Sequence, residues 1–262
     1  LFFAPGNGET RNLGHNITPA TDIEALTRFA QDHSIDLTVV GPEEPLARGI
    51  VDEFLRRGLR IFGPTQRATQ IESSKAFAKK TMVQSLVPTA PFKIFTEYQE
   101  CLSHVRAREP RMVIKASGLA AGKGTYPCAT LAEAEDALRN IFILGRHGKA
   151  GREVLVEDFL EGEELSAHIL CDGVTTKFFP LSQDYKRLFA GDDVPNPNTG
   201  GMGAFTPVPG FTDQGTKRFI EAACVAPILA AIARRGSLFT GCLYPGLMVT
   251  PDGRFKVLEY NA

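Results

Sequence analysis

The residues best suited to chemistry form a glycine-rich loop directly after an apolar strand pattern. Residues 113–124 read Val-Ile-Lys-Ala-Ser-Gly-Leu-Ala-Ala-Gly-Lys-Gly. Glycines let the backbone approach an anion closely, while successive N–H groups and nearby ammonium groups can neutralise phosphate charge. The residues concerned are Gly118, Gly122, Gly124, Lys115 and Lys123. The segment predicts a nucleotide triphosphate site, although a flexible surface turn can have the same composition.

The spacing of this loop excludes the P-loop pattern GxxxxGK[ST]. Only three residues separate Gly118 from Gly122, and Lys123 is followed by Gly124 rather than by a hydroxyl residue. Pro127 would also break the helix that follows a P-loop. A strand–loop–strand hairpin fits the segment better.

Other charged residues could complete such a site. Lys75 falls in a predicted helix over residues 65–85, and a strand at 154–160 ends in acids. In a strand over residues 255–261, alternation predicts that Val257, Glu259 and Asn261 share one face. Carboxylate and amide oxygens are ligands that suit Mg²⁺. Exposed helix and strand positions, or an ion pair at Glu259, are the structural alternatives.

The elements that must position these residues predict an α/β protein. In the first 70 residues, a helix with a capping box from Thr21 to Glu24 precedes a buried strand at 37–40, and another strand follows at 59–62. Strands and helices that alternate in this way predict a parallel sheet with ligands at the carboxyl ends of its strands.

The remaining residues predict two further units. A compact α+β unit has strands near 91–95, 111–116, 124–128 and 153–157 and helices near 97–107 and 131–144. The last third predicts a hairpin turn at 172–173, a Pro/Asn/Gly loop at 191–203, a helix at 213–235 and a hairpin turn at 251–253.

Composition limits the classes of function. A net charge of −1 over 262 residues gives no general attraction for nucleic acid or for an anionic membrane. Five cysteines without a CxxC pair indicate reduced thiols and a cytoplasmic protein rather than a disulfide framework or a zinc site. No apolar run reaches the roughly 18 residues that a membrane span needs.

A set of collinear motifs resembles the phosphoribosylamine–glycine ligase family of the ATP-grasp superfamily. The motifs lie at residues 41–46, 62–65, 72–79, 115–124, 161–164, 183–187, 197–204 and 258–261. They extend over essentially the whole sequence. The resemblance implies an α/β ATP-grasp fold with an N-terminal parallel α/β module at residues 1–71, a core at 72–91 and 162–262, and a lid at 92–161. It also implies that the first strand and the C-terminal domain of the family lie outside this sequence.

The resemblance implies ATP-dependent joining of glycine to 5-phosphoribosylamine in purine biosynthesis, with ATP and Mg²⁺, or Mn²⁺ in its place. The expected partners are these small molecules, and the expected assembly is a monomer or part of a fused purine-pathway protein. The residues that the resemblance assigns to ATP are Lys75, Lys115, Gly118, Gly122, Lys123, Gly124, Glu157, Phe159, Leu160 and Glu164. Glu259 and Asn261 are the implied metal ligands, and Asp184 and Lys186 the implied catalytic residues. The implied substrate-binding residues are Asn7, Pro42, Glu43, Thr199, Gly200, Gly201, Met202 and Gly203.

The sequence also departs from the family pattern. Tyr185 replaces the usual histidine of the QDHKR motif, Thr-Tyr-Pro at residues 125–127 replaces an aliphatic strand, and the loop at 192–197 is about two residues longer. These departures concern details of phosphate handling, whereas the family's first strand and C-terminal domain, which lie outside this sequence, are the reason to expect that the fragment alone lacks activity. Another ATP-grasp ligase or carboxylase, or a nucleotide-binding module without activity, are the alternative functions.

Overall fold

The N-terminal segment pairs its strands in parallel. The computed structural model describes residues 1–17, 19, 21–120, 122–189 and 198–262. The first elements are β1 (Phe2–Phe3), α1 (Thr10–Leu13), β2 (His15–Asn16), α2 (Ile23–Asp32), β3 (Thr38–Val39), α3 (Glu43–Ala47), α4 (Ile50–Arg56) and β4 (Ile61–Phe62). β1 pairs with β2 and β3 with β4, both in parallel, but as two separate two-stranded sheets. The predicted parallel pairing is confirmed for both pairs. The single shared sheet that was predicted is not found among these described strands.

Two details of this segment correct the sequence predictions. The side chain of Asp22, not Thr21, caps α2 by accepting a hydrogen bond from the Ala25 N–H at 3.0 Å. The strand predicted to be buried leaves Val39 66% exposed. The small apolar core lies instead between α2 and α4, where Leu26 packs in one cluster with Phe54.

Two short helices replace the single helix predicted over residues 65–85. They are α5 (Gln66–Ser73) and α6 (Lys75–Gln84). Ser74 interrupts them with an extended backbone (φ −139°, ψ 103°), and its hydroxyl accepts the Phe77 N–H at 3.2 Å. This break gives α6 a new N-terminus and therefore places Lys75 in its first turn.

A four-stranded antiparallel sheet forms the middle of the chain, and we call it with its helices the four-stranded unit. Its elements are β5 (Phe92–Phe95), α7 (Tyr98–Arg106), β6 (Met112–Ala116), β7 (Thr125–Cys128), α8 (Leu131–Leu138) and β8 (Val154–Asp158). The strand order is β5-β8-β6-β7. Apolar residues of both helices and of the sheet form one buried cluster. The predicted elements of this region are confirmed to within a few residues, since a π-helical turn at Arg139–Ile143 continues α8 almost to the predicted end at residue 144.

The last third contains a five-stranded sheet, a separate hairpin and two helices. Its elements are β9 (Glu163–Ser166), β10 (Ile169–Asp172), β11 (Thr176–Phe178), β12 (Gln183–Arg187), β13 (Asn198–Phe205), α9 (Gln214–Ile220), α10 (Ala226–Arg234), β14 (Thr240–Val249) and β15 (Phe255–Asn261). The sheet order is β11-β10-β14-β15, with β9 also on β14, while β12 pairs with β13. A large apolar cluster joins this sheet to α5, α6, α9 and α10.

Most of the elements predicted for this third are confirmed, but the long loop is not. Hairpins turn where residues 172–173 and 251–253 predicted them, and helical residues run from Gln214 to Arg234 with a π-helical turn between α9 and α10. Residues 198–203 of the predicted loop belong to β13, and its residues 191–197 lie outside the described residues.

Neither a membrane span nor a disulfide contributes to the described fold. Within the described ranges, every helix is too short or too polar to cross a bilayer. All five cysteines are free thiols, and four of them are buried.

Candidate functional site

A cavity of about 360 Å³ separates the four-stranded unit from the five-stranded sheet and α6. It is lined by many of the residues assigned from sequence, drawn from both sides and from the start of α3. Those residues are Glu43, Lys75, Lys115, Gly122, Gly124, Glu157, Phe159, Leu160, Glu164, Lys186, Thr199, Glu259 and Asn261. The structure therefore brings together cations, carboxylates and small loop residues that are far apart in sequence.

Lys75 reaches the cavity because the break at Ser74 fixes the first turn of α6. The Lys75 N–H donates to Ser117 O at 2.7 Å, and the Ala76 N–H donates to Ser117 Oγ at 3.1 Å. These bonds fasten the helix start to the strand end that carries the glycine loop. Burial lowers the pKa of Lys75, and Glu259 opposes this shift.

A buried carboxylate lies between two lysines at the base of the cavity. Glu157 Oε2 is 3.1 Å from Lys115 Nζ and 2.9 Å from Lys79 Nζ, and both side chains of the second pair are only 2% exposed. Burial disfavours the charged form of Lys115, but Glu157 and Glu259 raise its pKa above the ordinary value. The pKa of Lys79 is lowered to about 8 by burial, against the attraction of Glu157.

Glu157 keeps one oxygen without a partner. Among the described residues, its buried Oε1 has no hydrogen-bond partner. A buried acceptor of this kind is costly unless a ligand satisfies it. Since Glu157 lines the cavity, Oε1 is available to a donor on a bound molecule.

Carboxylates gather at the β15 side of the cavity. Asn261 Nδ2 donates to Tyr244 O at 3.3 Å, which leaves the amide oxygen for another partner. Burial, and then the nearby carboxylates of Glu43 and Glu259, raise the pKa of Glu72 to about 7, although the Ala262 N–H bonded to it acts in the other direction. Such crowding of acidic groups favours a bound cation.

The strand that carries Glu259 and Asn261 contains an irregularity that alternation did not predict. Glu259 pairs with Gly246 and Val257 with Leu247, so Leu258 is an extra residue in β15. Val257 is fully buried in the core, whereas Glu259 and Asn261 line the cavity. The prediction that Val257 shares their face is therefore wrong, because a bulge shifts the alternation by one residue.

A divalent cation fits this donor set only together with a ligand. Glu259 and Asn261 offer one carboxylate and one amide oxygen, and no group of three or more His, Cys, Asp or Glu side chains suited to a metal occurs among the described residues. Mg²⁺ commonly binds one or two carboxylates together with substrate phosphates. The pair is compatible with such a shared site.

The glycine loop is held more tightly at its base than its composition predicted. The Gly118 N–H donates to Ala150 O at 3.0 Å and the Lys123 N–H to Ala120 O at 2.9 Å, so neither is free for an anion. Gly118 does not line the cavity, and Lys123 lines a neighbouring cleft with Glu43, Glu44 and Arg146. Gly122 and Gly124 are the loop glycines at the cavity.

The β12–β13 hairpin contributes only part of what was predicted. Lys186 forms an ion pair with Glu164, and its carbonyl accepts the Thr199 hydroxyl at 3.0 Å. Asp184 does not line the cavity, and its Oδ2 lies at the limit of hydrogen bonding from Ser166 Oγ, at 3.5 Å. Gly201, Met202 and Gly203 also lie outside the lining.

Of the N-terminal residues assigned to substrate binding, only some line the cavity. Glu43 lines the cavity, whereas Asn7 and Pro42 do not. The Asn7 side-chain oxygen instead accepts the N–H groups of Glu9 and Thr10, at 2.9 and 3.0 Å. Pro42 precedes α3 with an extended backbone and is its N-cap residue.

Sequence reasoning missed Lys79 and Glu72, which both line the cavity. Both residues belong to the motif at residues 72–79. For Lys79 the sequence did contain a signal, because Lys75 and Lys79 are four residues apart and share a helix face. Glu72 lies in the last turn of α5, close to the break.

The fold alone defines a class of protein. The chain superposes on the biotin carboxylase–β,γ-ATP complex from Campylobacter jejuni with a TM-score of 0.76 at 13% identity, covering 99% of this chain and 58% of that one. At such low identity the similarity shows only a shared fold, and the family model that matches residues 73–262 describes it as the ATP-grasp fold.

Sequence comparisons define the family within this class. The family described as "Phosphoribosylglycinamide synthetase, N domain" matches residues 1–72, and "Phosphoribosylglycinamide synthetase, ATP-grasp (A) domain" matches residues 73–262. The phosphoribosylamine–glycine ligase of Haemophilus influenzae is 44% identical over 100% of this chain and 61% of its own length. The crystal structure of the Thermotoga maritima ligase has a TM-score of 0.80 at 31% identity, covering 100% of this chain and 62% of that chain. The chain belongs to the phosphoribosylamine–glycine ligase family, and it spans about three fifths of the length of these relatives.

Proposed function

We propose that the protein containing this chain joins glycine to 5-phosphoribosylamine with ATP, giving glycinamide ribonucleotide, ADP and phosphate in purine biosynthesis. Family membership over all 262 residues supports the reaction. The observation that carries the proposal is the single cavity that is lined both by Lys75 and Lys115 and by the oxygen donors Glu259 and Asn261. This arrangement suits a triphosphate with a divalent cation.

ATP would occupy the cavity with its phosphates at Lys75, Lys115 and the loop glycines Gly122 and Gly124. Lys123 would approach from the neighbouring cleft, and Gly118 would support the base of the loop. The strand end at Glu157, Phe159 and Leu160 would hold adenine, since the free Glu157 Oε1 can accept a bond from the exocyclic amine. Glu164 would contact the ribose hydroxyls, in exchange for its present ion pair with Lys186.

Glu259 and Asn261 would hold Mg²⁺, or Mn²⁺ in its place, against the phosphates. The ion would neutralise charge that moves between the phosphates during transfer. The protein's own contribution is to keep one carboxylate and one amide oxygen fixed on a covered strand, while the two lysines balance the remaining phosphate charge.

The chemistry itself takes place between the bound molecules. A carboxylate is a poor electrophile, so an oxygen of the glycine carboxylate attacks the γ-phosphorus of ATP and the bond to the ADP oxygen breaks. The glycyl phosphate formed is then attacked at carbon by the phosphoribosylamine nitrogen. The C–N bond forms, the C–O bond to phosphate breaks, and the amine loses a proton. No covalent enzyme intermediate is needed.

The remaining assignments place the substrates along the cavity and beside it. Asp184 and Lys186 would manage the transferred phosphate, and glycine and the amine would meet along residues 199–203, of which Thr199 is at the cavity. Asn7, Pro42 and Glu43 would face phosphoribosylamine. Substrate binding would have to move Asp184 and residues 201–203 towards the cavity, because they do not line it.

Three apolar clusters support a division of the chain into three units, but Ala68 and Ile71 of α5 pack in the large cluster rather than in the N-terminal one. We assign residues 1–71 to an N-terminal α/β domain, 72–91 and 162–262 to the core, and 92–161 to the lid. The expected setting is the cytoplasm, with small-molecule partners and without a nucleic acid or a membrane, as a monomer or as part of a fused purine-pathway protein.

The test is substrate-dependent release of ADP by the complete natural protein. ADP and phosphate are expected in equal amounts, and only when ATP, Mg²⁺, glycine and phosphoribosylamine are all present. Glycinamide ribonucleotide is identified by mass. ADP release with another acid and amine, but not with this pair, would contradict the proposal. Nucleotide binding without turnover would also contradict it.

A further inference from the structure

Lys79 is a buried cation for which the proposed reaction has no direct use. Its side chain is 2% exposed, although the next residue on α6, Lys80, is exposed to solvent. An ammonium group is buried at high cost unless it is paired and hydrogen-bonded. The contacts of Lys79 therefore indicate what it does.

A chain of polar contacts passes through Lys79 from one unit to the other. Lys79 Nζ donates to Thr89 Oγ1 at 2.7 Å, and the Thr89 hydroxyl donates to Val257 O at 2.6 Å. Lys79 also pairs with Glu157 of β8. Lys115 of β6 pairs with the same carboxylate, and its Nζ is 3.4 Å from Leu258 O.

Charge is unequal within this cluster. Two ammonium groups share one carboxylate, and both approach the same oxygen, Glu157 Oε2. If Lys115 turned to a phosphate, Glu157 would keep Lys79 as its counter-charge. Without Lys79, the same movement would leave a buried carboxylate unpaired, which costs more than the loss of an exposed ion pair.

Resting on the proposed function, we infer that Lys79 is a positioning residue for nucleotide binding. It holds the charge of Glu157, and this frees Lys115 to bind the nucleotide phosphates. Lys79 does not touch the nucleotide. Thr89 holds its ammonium group through the hydrogen bond that Lys79 Nζ donates to Thr89 Oγ1.

The inference is tested by binding of MgATP and of inorganic tripolyphosphate to the complete natural protein. Tripolyphosphate lacks adenine, so it reports on the phosphate contacts without any adenine contact of Glu157. Lys79→Met is expected to weaken binding of both ligands by about 10-fold or more, because Glu157 then retains Lys115. Lys80→Met, its neighbour on the same helix, is the matched control and should bind as the wild type does.

The double variant separates positioning from packing. Adding Glu157→Gln to Lys79→Met removes the group that retains Lys115, so tripolyphosphate affinity should return to within about threefold of the wild type. A packing defect would not be restored in this way. If Lys79→Met does not fold, Thr89→Val keeps the charge and loses one bond to it, and a loss of about threefold to tenfold is expected.

The outcomes distinguish this inference from the proposed function. Unchanged affinity in Lys79→Met, or reduced affinity that Glu157→Gln does not restore, would overturn the role of Lys79 while ATP binding by the wild type still supports the ligase. If Thr89→Val is the variant used, unchanged affinity overturns that role in the same way. A wild-type protein that binds neither ligand would overturn both.

Discussion

Ser74 and Gly118 form an isolated antiparallel backbone bridge between the start of α6 and the glycine loop. Together with the bonds from the N–H groups of Lys75 and Ala76 to Ser117, it fixes the base of the loop. The loop beyond this base reaches the cavity at Gly122 and Gly124. Gly118 at the base and Gly122 at the cavity therefore lie in different surroundings within one loop.

Gly118 is required by close packing. A Cβ on Gly118 would lie 2.7 Å from Ala150 Cα, whereas Gly122 has open space but a positive φ of 72°. Gly118→Ala is expected to lower the unfolding free energy by about 1–3 kcal/mol because backbone must move. Gly122→Ala is the matched comparison, with a cost of about 1–2 kcal/mol from the left-handed backbone conformation alone. Denaturant unfolding compares them, and a greater loss in Gly122→Ala would show that the packing at Ala150 is not limiting.

Lys115 is expected to supply a large part of the ATP affinity. Lys115→Met removes a charge-assisted phosphate contact, so the dissociation constant for ATP should rise by about 10-fold to 150-fold. Titration calorimetry on the complete protein measures this. Lys93→Met removes an exposed lysine from β5 of the same sheet and should leave affinity unchanged. Equal binding by the two variants would mean that Lys115 does not reach the nucleotide.

Glu259 is expected to set the magnesium dependence. Glu259→Gln keeps the shape but removes the charge, so turnover should fall by about 100-fold and saturation should need more Mg²⁺. The stability of the fold should change far less. The control is Glu163→Gln, an exposed position on β9. The measurement is ADP release over a series of Mg²⁺ concentrations, and a wild-type response in Glu259→Gln would make the metal assignment wrong.

Glu72 should make stability depend on pH. Its pKa is raised from 4.5 to about 7 by burial and then by Glu43 and Glu259, so the folded protein binds this proton more tightly than the unfolded chain. The unfolding free energy therefore falls as pH rises from about 4.5 to 7. Glu72→Gln has no carboxyl to titrate, so this fall in unfolding free energy should be absent from the variant. Between about pH 4.5 and 7, the unfolding free energy of the variant should therefore rise by about 1–3 kcal/mol relative to that of the wild type.

The measurement for Glu72 is urea unfolding at several pH values, without nucleotide or divalent cation. A difference between variant and wild type that stays constant from pH 5 to pH 8 would contradict the predicted pKa. Added Mg²⁺ and ATP should reduce the difference, because a cation near Glu259 favours the ionised form of Glu72.

The four-stranded unit could be predicted from sequence because local signals and burial agree there. Its strands are apolar, its turns carry glycine or proline, and Thr130 with Glu133 forms a capping box on α8. The N-terminal strands could not be predicted as closely. Each contains two paired residues, and Val39 is exposed, so the apolar pattern there does not mark a buried strand.

Only some of the residues that line the cavity could be predicted from sequence. Lys115, Glu259 and Asn261 lie on strands whose patterns were recognised. Lys79 was missed because its burial depends on Glu157 and Thr89, which are distant or not visibly linked in sequence. The break at Ser74 was missed as well, because it depends on the backbone bridge to Gly118 rather than on a helix-breaking residue.

Leu258, the extra residue in β15, matters for its backbone position rather than for its side chain. Removing Leu258 would return the strand to plain alternation, with Val257 and Tyr260 still facing the core and Glu259 still at the cavity. What would disappear is the carbonyl that Lys115 approaches. A one-residue gap here in an alignment of relatives would therefore mark an altered lysine environment, even where every metal ligand is retained.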